Sequence, residues 1–327
     1  MLISEKQYHN FENFLKNHTH FLIVGHKEPD GDCLTSCMGM AAILKKLNLP
    51  YQLLSSGPFK RTEIKKFAKY FSQIIKPEFI QQEKIGVIIL DCSEMHRLGD
   101  IAEQVINYDN FIIDHHKTSN VPKSKSIVIP SAPASAYLVQ LLYEHFVGKP
   151  DKKTAEILFL GMCTDTGFFR FLDENSSDFF LAISRLVEAG VNPKYIFTQI
   201  TNGKPFSTRK LLAIMLEKAE LCFGGKLVYT QESLEDTLKF GKNGRDTDSL
   251  YSLLLSIGKV EVALFLRQDT PSSCTVGFRS QDSIDVSKIA AKFGGGGHKN
   301  AAGLSIEGTI TDLLPKLLKE FEKFFKN

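Results

Sequence analysis

Phe21-Leu22-Ile23-Val24-Gly25-His26-Lys27-Glu28-Pro29-Asp30-Gly31-Asp32 is the stretch that decides the fold. Its first five residues are a short apolar run, its middle is polar, and a helical pattern follows from Leu34 to Leu47. Ile85-Gly86-Val87-Ile88-Ile89-Leu90 is a second apolar run, read as a strand buried on both faces. Phe111-Ile112-Ile113 is a third. Helical patterns come at 134–146, 153–162 and 177–189. Strand alternating with helix predicts an α/β fold whose N-terminal domain is a doubly wound parallel sheet with helices on both faces.

Outward from that half the character changes. The polar stretch 192–205, with Asn202-Gly203 and Lys204-Pro205, reads as a linker. A helical pattern at 208–221 and apolar strands at 226–230 and 260–266 follow, with a weaker alternation at 273–278. Residues 311–325 pattern as an amphipathic surface helix. The expected division is 1–195, a linker over 196–215, and a smaller α/β domain over 216–327.

The 327 residues carry a net charge of +3, too weak for a dedicated binder of duplex DNA. No run approaches the ~18 apolar residues of a membrane span, and the polar first twenty residues do not resemble a signal peptide. The six cysteines form no CxxC pair, so neither a zinc knuckle nor a thioredoxin motif is suggested, and a cytoplasmic protein with reduced thiols is expected. Cys33, Cys92 and Cys163 beside the acidic motifs read as small packing residues.

Each N-terminal apolar run ends in residues able to hold a metal. The first leads into His26, Asp30 and Asp32, the second into Asp91, the third into Asp114-His115-His116; a later helix ends in Thr164-Asp165-Thr166-Gly167. In an open parallel sheet, side chains at the carboxyl ends of strands converge. One Asp after a strand is usually a cap or turn former. Four such clusters, each closing an apolar segment, exceed what capping explains. Several carboxylates in one crevice repel one another unless cations neutralise them. Oxygen and imidazole donors suit Mn²⁺ best, with Mg²⁺, Co²⁺ or Zn²⁺ as alternatives, and the number of donors suits two ions.

These four motifs resemble those of the DHH phosphoesterases. Gly294-Gly295-Gly296-Gly297-His298-Lys299-Asn300-Ala301-Ala302-Gly303 is similar to the DHHA1 signature. The layout is that of NrnA-type oligoribonucleases, 3′-phosphoadenosine-5′-phosphate (pAp) phosphatases and the phosphodiesterases of pApA and cyclic-di-AMP. The resemblance implies metal ligation by His26, Asp30, Asp32, Asp91, His115 and Asp165, with Asp91 bridging. It implies an orienting role for Asp114, contact of His116 with the phosphate or leaving oxygen, and a structural Arg97. Thr35 departs from the small residue common there. In the second domain, Arg279 offers a bidentate fork, His298 a hydrogen bond, and Gly295, Gly296 and Gly297 backbone amides; the resemblance places them across a cleft from the metals.

The expected enzyme is a Mn²⁺-dependent two-metal phosphoesterase acting on short oligoribonucleotides or (cyclic) dinucleotides, with a homodimer plausible by analogy. Competing readings are an exopolyphosphatase, a RecJ-like single-strand exonuclease, and a non-catalytic nucleotide-binding regulator. The intact ligand set argues against the last.

Overall fold

The computed structural model describes residues 2–117, 121–240, 245–281 and 283–325. It divides into two compact units, Met1–Gly203 and Lys204–Asn327.

In the first unit, α1 (Glu5–Asn17) precedes β1 (His20–Val24), α2 (Gly31–Lys46), β2 (Tyr51–Leu54), α3 (Pro77–Ile80), β3 (Ile85–Leu90), α4 (Ile101–Val105), β4 (Asp109–Asp114) and β5 (Ser126–Val128). Four helices follow: α5 (Ser135–Phe146), α6 (Lys152–Asp165), α7 (Ser177–Glu188) and α8 (Pro193–Thr201). The five strands form one parallel sheet in the order β2-β1-β3-β4-β5. The apolar runs are continuous because the sheet is covered twice. Phe21, Ile23, Ile88, Leu90, Phe111 and Ile113 pack into a core with α1, α2, α5 and α6. The alternate residues Leu22, Val24, Val87, Ile89 and Ile112 pack on the other face against Phe79, Ile101 and Val105.

One element was not read from the sequence and one expectation differs. The polar N-terminal stretch holds a helix, started by a Ser4–Gln7 capping box and anchored by buried Tyr8, Phe11, Phe14 and Leu15. The stretch read as a linker is largely helical: Asn192 caps α8 through the Tyr195 N–H, and Pro193 sits at its first position. Only 202–205 separate it from the next helix.

The second unit runs α9 (Phe206–Glu217), β6 (Glu220–Cys222), β7 (Leu227–Glu232), α10 (Leu234–Phe240), α11 (Thr247–Leu255), β8 (Val262–Thr270), β9 (Ser273–Ser280), α12 (Val286–Lys292), β10 (Gly296–His298), β11 (Ala301–Glu307) and α13 (Ile310–Phe325). Its mixed sheet has the order β10-β11-β9-β8-β7-β6. Strand β9 alternates strictly: Cys274, Val276 and Phe278 enter the core with α12 and α13, while Gly277 and Arg279 face the other side, where α11 packs. Among the described residues no helix is long and apolar enough to cross a membrane. All six cysteines are unpaired.

Candidate metal centre

The candidate centre lies at the carboxyl ends of β1, β3 and β4. Strand order reverses here, since β1 is followed in sequence by β2 on one side and in space by β3 on the other, and crevices form at such points. Residue Asp91 leaves β3 with φ 60°, in the left-handed region that Asp tolerates better than most side chains. Its N–H still donates to Ile113 O at 3.0 Å, so the ladder continues while the side chain is redirected.

Both Asp91 oxygens face imidazoles. Oδ2 lies 3.5 Å from His26 Nε2, and Oδ1 lies 3.5 Å from His115 Nε2. His26 Nε2 is also 3.9 Å from Asp30 Oδ1, and His115 Nε2 is 3.3 Å from Asp165 Oδ2. Each histidine turns its Nδ1 to a backbone carbonyl, Lys27 O at 2.8 Å for His26 and Ala132 O at 3.1 Å for His115. That contact puts the proton on Nδ1 and leaves Nε2 as a ligand atom toward the carboxylates. Donor separations of 3.3–3.9 Å exceed a charge-assisted hydrogen bond of about 2.8 Å. They suit donors that share a cation at about 2.0–2.2 Å.

Electrostatics point the same way. Burial pushes the pKa of Asp32 well up, and the charges of Asp91, Asp165 and Asp30 push it further. Burial and Asp30 do the same to Asp91, and burial raises Asp165 against the opposing pull of His115. Protein alone therefore leaves this cluster short of positive charge, and divalent cations reverse that deficit. His26 with Cys33 and Asp91, Asp91 with His115 and His116, and Asp32 with His115 and Asp165 each bring ligand atoms within 4.8 Å. The residues present fit a pair of divalent ions.

The Asp residues also hold the scaffold. Asp30 caps α2 by accepting from Cys33 N at 3.0 Å. Asp32 is buried and accepts from Ser135 N at 2.6 Å and Ala136 N at 2.9 Å, the first amides of α5. Asp114 stands behind His116: its Oδ1 accepts from His116 Nδ1 at 2.8 Å and His116 N at 3.0 Å, and its Oδ2 from Ser93 Oγ at 2.5 Å. Burial pushes Asp114 up, but these hydrogen bonds outweigh it and the net shift is downward. The His116 pKa rises in turn, chiefly through its bond to Asp114. Arg97 contributes its backbone carbonyl to Lys27 N at 2.6 Å.

Close helix packing delivers Asp165. A Cβ at Gly31 would lie 2.3 Å from Thr164 Oγ1, and one at Gly161 would lie 2.0 Å from Thr35 Oγ1. Helices α2 and α6 therefore approach through glycine at both ends of this contact, with Thr35 seated over Gly161. The unusual Thr35 is accommodated by its opposite neighbour and bonds Gly31 O at 2.8 Å. Sequence reading missed Ser135, whose Oγ donates to Asp91 Oδ1 at 2.9 Å, and Ser93. Single hydroxyls outside any motif carry no signal in a sequence.

In the second unit, ladder register aligns His298 with Ala301, Ala301 with Arg279, and Arg279 with Ala263. Directly opposed residues point to one face, so Arg279 and His298 share a face with a methyl group between them. The glycine run is a hairpin rather than a free loop: Gly296 pairs with Gly303 and Gly297 with Ala302. Cβ atoms at Gly295 and Gly297 would lie 2.4 Å from Gly303 O and 2.5 Å from Ala301 O, whereas Gly296 borders open space.

Comparison with known proteins gives the same two parts. Residues 20–162 match the DHH family N-terminal domain, and residues 224–327 match the DHHA1 domain. The bifunctional oligoribonuclease and PAP phosphatase NrnA of Thermus thermophilus is 28% identical over 292 residues, covering 89% of this chain and 85% of that protein. The cyclic-di-AMP phosphodiesterase PdeA of Listeria monocytogenes is 24% identical over 93% of this chain, which spans 47% of PdeA. An exopolyphosphatase-related protein from Bacteroides fragilis has the same fold, with a TM-score of 0.88, 23% identity, and coverage of 100% of this chain and 99% of that one. With both domains in order and the acidic and histidine motifs gathered at the sheet's switch point, the chain carries a DHH family N-terminal domain followed by a DHHA1 domain, the pairing of a phosphoesterase.

Proposed function

We propose that the protein is a Mn²⁺-dependent two-metal phosphoesterase that hydrolyses short nucleotides (nanoRNA, pApA, cyclic-di-AMP or pAp) to mononucleotides. The observation that carries this is Asp91, with one oxygen toward His26 and the other toward His115. His26, Asp30 and Asp91 would hold one ion; Asp32, Asp91, His115 and Asp165 would hold the other. When bound, the ions supply Lewis-acid activation of water and neutralisation of phosphate charge.

The chain's own residues supply positioning and a proton. Ser135 and the backbone fix Asp91, and the carbonyls of residues Lys27 and Ala132 fix the two histidine tautomers. Asp114 holds His116 by Nδ1 and favours its charged form, so Nε2 donates the proton that the leaving ribose oxygen takes as its bond to phosphorus breaks. In the second unit, Arg279, His298 and the open backbone at Gly296 offer contacts to a phosphate or a base. The named activities of the NrnA and PdeA relatives support the choice of substrates, and six unpaired thiols support a cytoplasmic location.

The test incubates purified protein and an Asp91→Ala control with Mn²⁺ and pAp, pApA, cyclic-di-AMP or a five-nucleotide RNA, with products followed by chromatography. The expected result is release of AMP or pApA by the wild type alone. If no member is cleaved with Mn²⁺, Mg²⁺ or Co²⁺, the nucleotide reading fails and polyphosphate becomes the next substrate to examine.

A further inference from the structure

We propose that Tyr251 is a positioning residue for substrate capture: its ring carries the Arg279 guanidinium on the α11 side of the second unit's sheet, ready for a phosphate or base edge. The inference rests on the reading of Arg279 as a substrate contact.

The second unit has four arginines. Three are neutralised by carboxylates: Arg209 by Asp246, Arg245 by Glu232, and Arg267 by Asp269. Arg279 has no carboxylate within ion-pair distance among the described residues. Its Cζ instead lies 4.6 Å from the Tyr251 ring centroid, and its Nη1 donates to Phe278 O at 3.0 Å. An arginine stacked on a ring and tied at one nitrogen keeps the rest of its fork for an external acceptor, and losing the stack frees its torsions.

Tyr251 is itself held tightly. It is 6% exposed, on a helix whose N-cap Asp246 is pinned by Arg209. Its ring meets Phe265 edge-on at 6.4 Å. Its hydroxyl lies against Gly277, where a Cβ would come within 2.1 Å of the oxygen. Glycine two residues before Arg279 thus leaves the room in which the ring lies under the guanidinium. Stacking of this kind in a partly desolvated site corresponds to about a tenfold change in affinity.

The test measures the calorimetric Kd for pApA in an Asp91→Ala background, which removes turnover. Tyr251→Leu is expected to raise Kd about tenfold, and Tyr251→Phe to stay within about twofold, because the phenyl face carries the same quadrupole. With Arg279→Ala already present, Tyr251→Leu is expected to add less than about twofold. A raised Kd for Arg279→Ala beside an unchanged Tyr251→Leu overturns the proposal while leaving Arg279 as a contact. A full additional loss in the double variant also overturns it, since Tyr251 would then act independently. An unchanged Kd for Arg279→Ala removes both the contact and the proposal.

Discussion

Gly161→Ala is the sharpest perturbation of the way this fold assembles its metal centre. The added methyl would lie 2.0 Å from Thr35 Oγ1, 2.9 Å from Ala136 Cβ and 3.1 Å from Asp32 Oδ1. Thr35, Ala136 and Asp32 are all buried, and Thr35 is tied to Gly31 O, so no flexible side chain can swing away. Helix α6 must retreat, and Asp165 at its end moves away from His115. Overpacking of this size costs about 1–3 kcal/mol, or a fall of roughly 2–10 °C in the melting temperature of a domain near 200 residues. A ligand displaced by about 1 Å costs 10- to 100-fold in turnover. Thr35→Ala removes the obstructing oxygen but not the 2.9 Å approach to Ala136 Cβ, so Thr35→Ala/Gly161→Ala is expected to regain part of both losses. Differential scanning calorimetry and a Mn²⁺ titration of the three variants provide the readout. Wild-type melting and metal affinity in Gly161→Ala would refute the close-packing argument, as would a double variant no better than Gly161→Ala.

Other perturbations separate the roles around Asp91. Ser135→Ala deletes the hydroxyl that donates to Asp91 Oδ1, so stability should fall by about 1 kcal/mol and kcat by roughly tenfold, read by melting and by steady-state kinetics. Asp114→Asn unhooks His116 while sparing the ligands; kcat is expected to drop about 100-fold or more with Mn²⁺ affinity retained, and joint loss of metal would contradict the assignment. In the second unit, Asp236 closes a capping box with Ser233 and pairs with Lys218 at 2.6 Å; burial raises its pKa, but these partners outweigh it and depress it. A depressed carboxylate stabilises above its unfolded pKa and loses that contribution as pH falls through its folded pKa. Asp236→Asn should therefore cost about 1 kcal/mol at pH 7, with the gap in melting temperature to wild type closing progressively below about pH 4. A gap that persists in acid would refute the linkage.

The sequence carries the parallel sheet plainly, because strands buried on both faces are written as unbroken apolar runs. Ile85–Leu90 is such a run, and Asp91 follows it at once. Elements whose apolar residues are diluted by polar ones were less legible: Glu5–Asn17 shows its core only through Tyr8, Phe11, Phe14 and Leu15. Tyr51–Leu54 is a short edge strand buried at alternate residues. The metal-capable residues were readable because each closes an apolar segment. Their supports were not. Asp32 finds its amide partners more than a hundred residues away at Ser135 and Ala136, and no local spacing announces that pairing. Thr35 looked like a departure until Gly161 appeared opposite it. Four glycines in a row read as an anion cradle, while the hairpin needs Gly295 and Gly297 for backbone clearance and leaves Gly296 open.

Anomalous diffraction at the manganese edge from crystals soaked in Mn²⁺ tests the central claim most directly. The account predicts two peaks about 3.5–4 Å apart on either side of the Asp91 carboxylate, one beside His26 and Asp30 and one beside His115 and Asp165. A single peak, or two peaks that do not share Asp91, would contradict it.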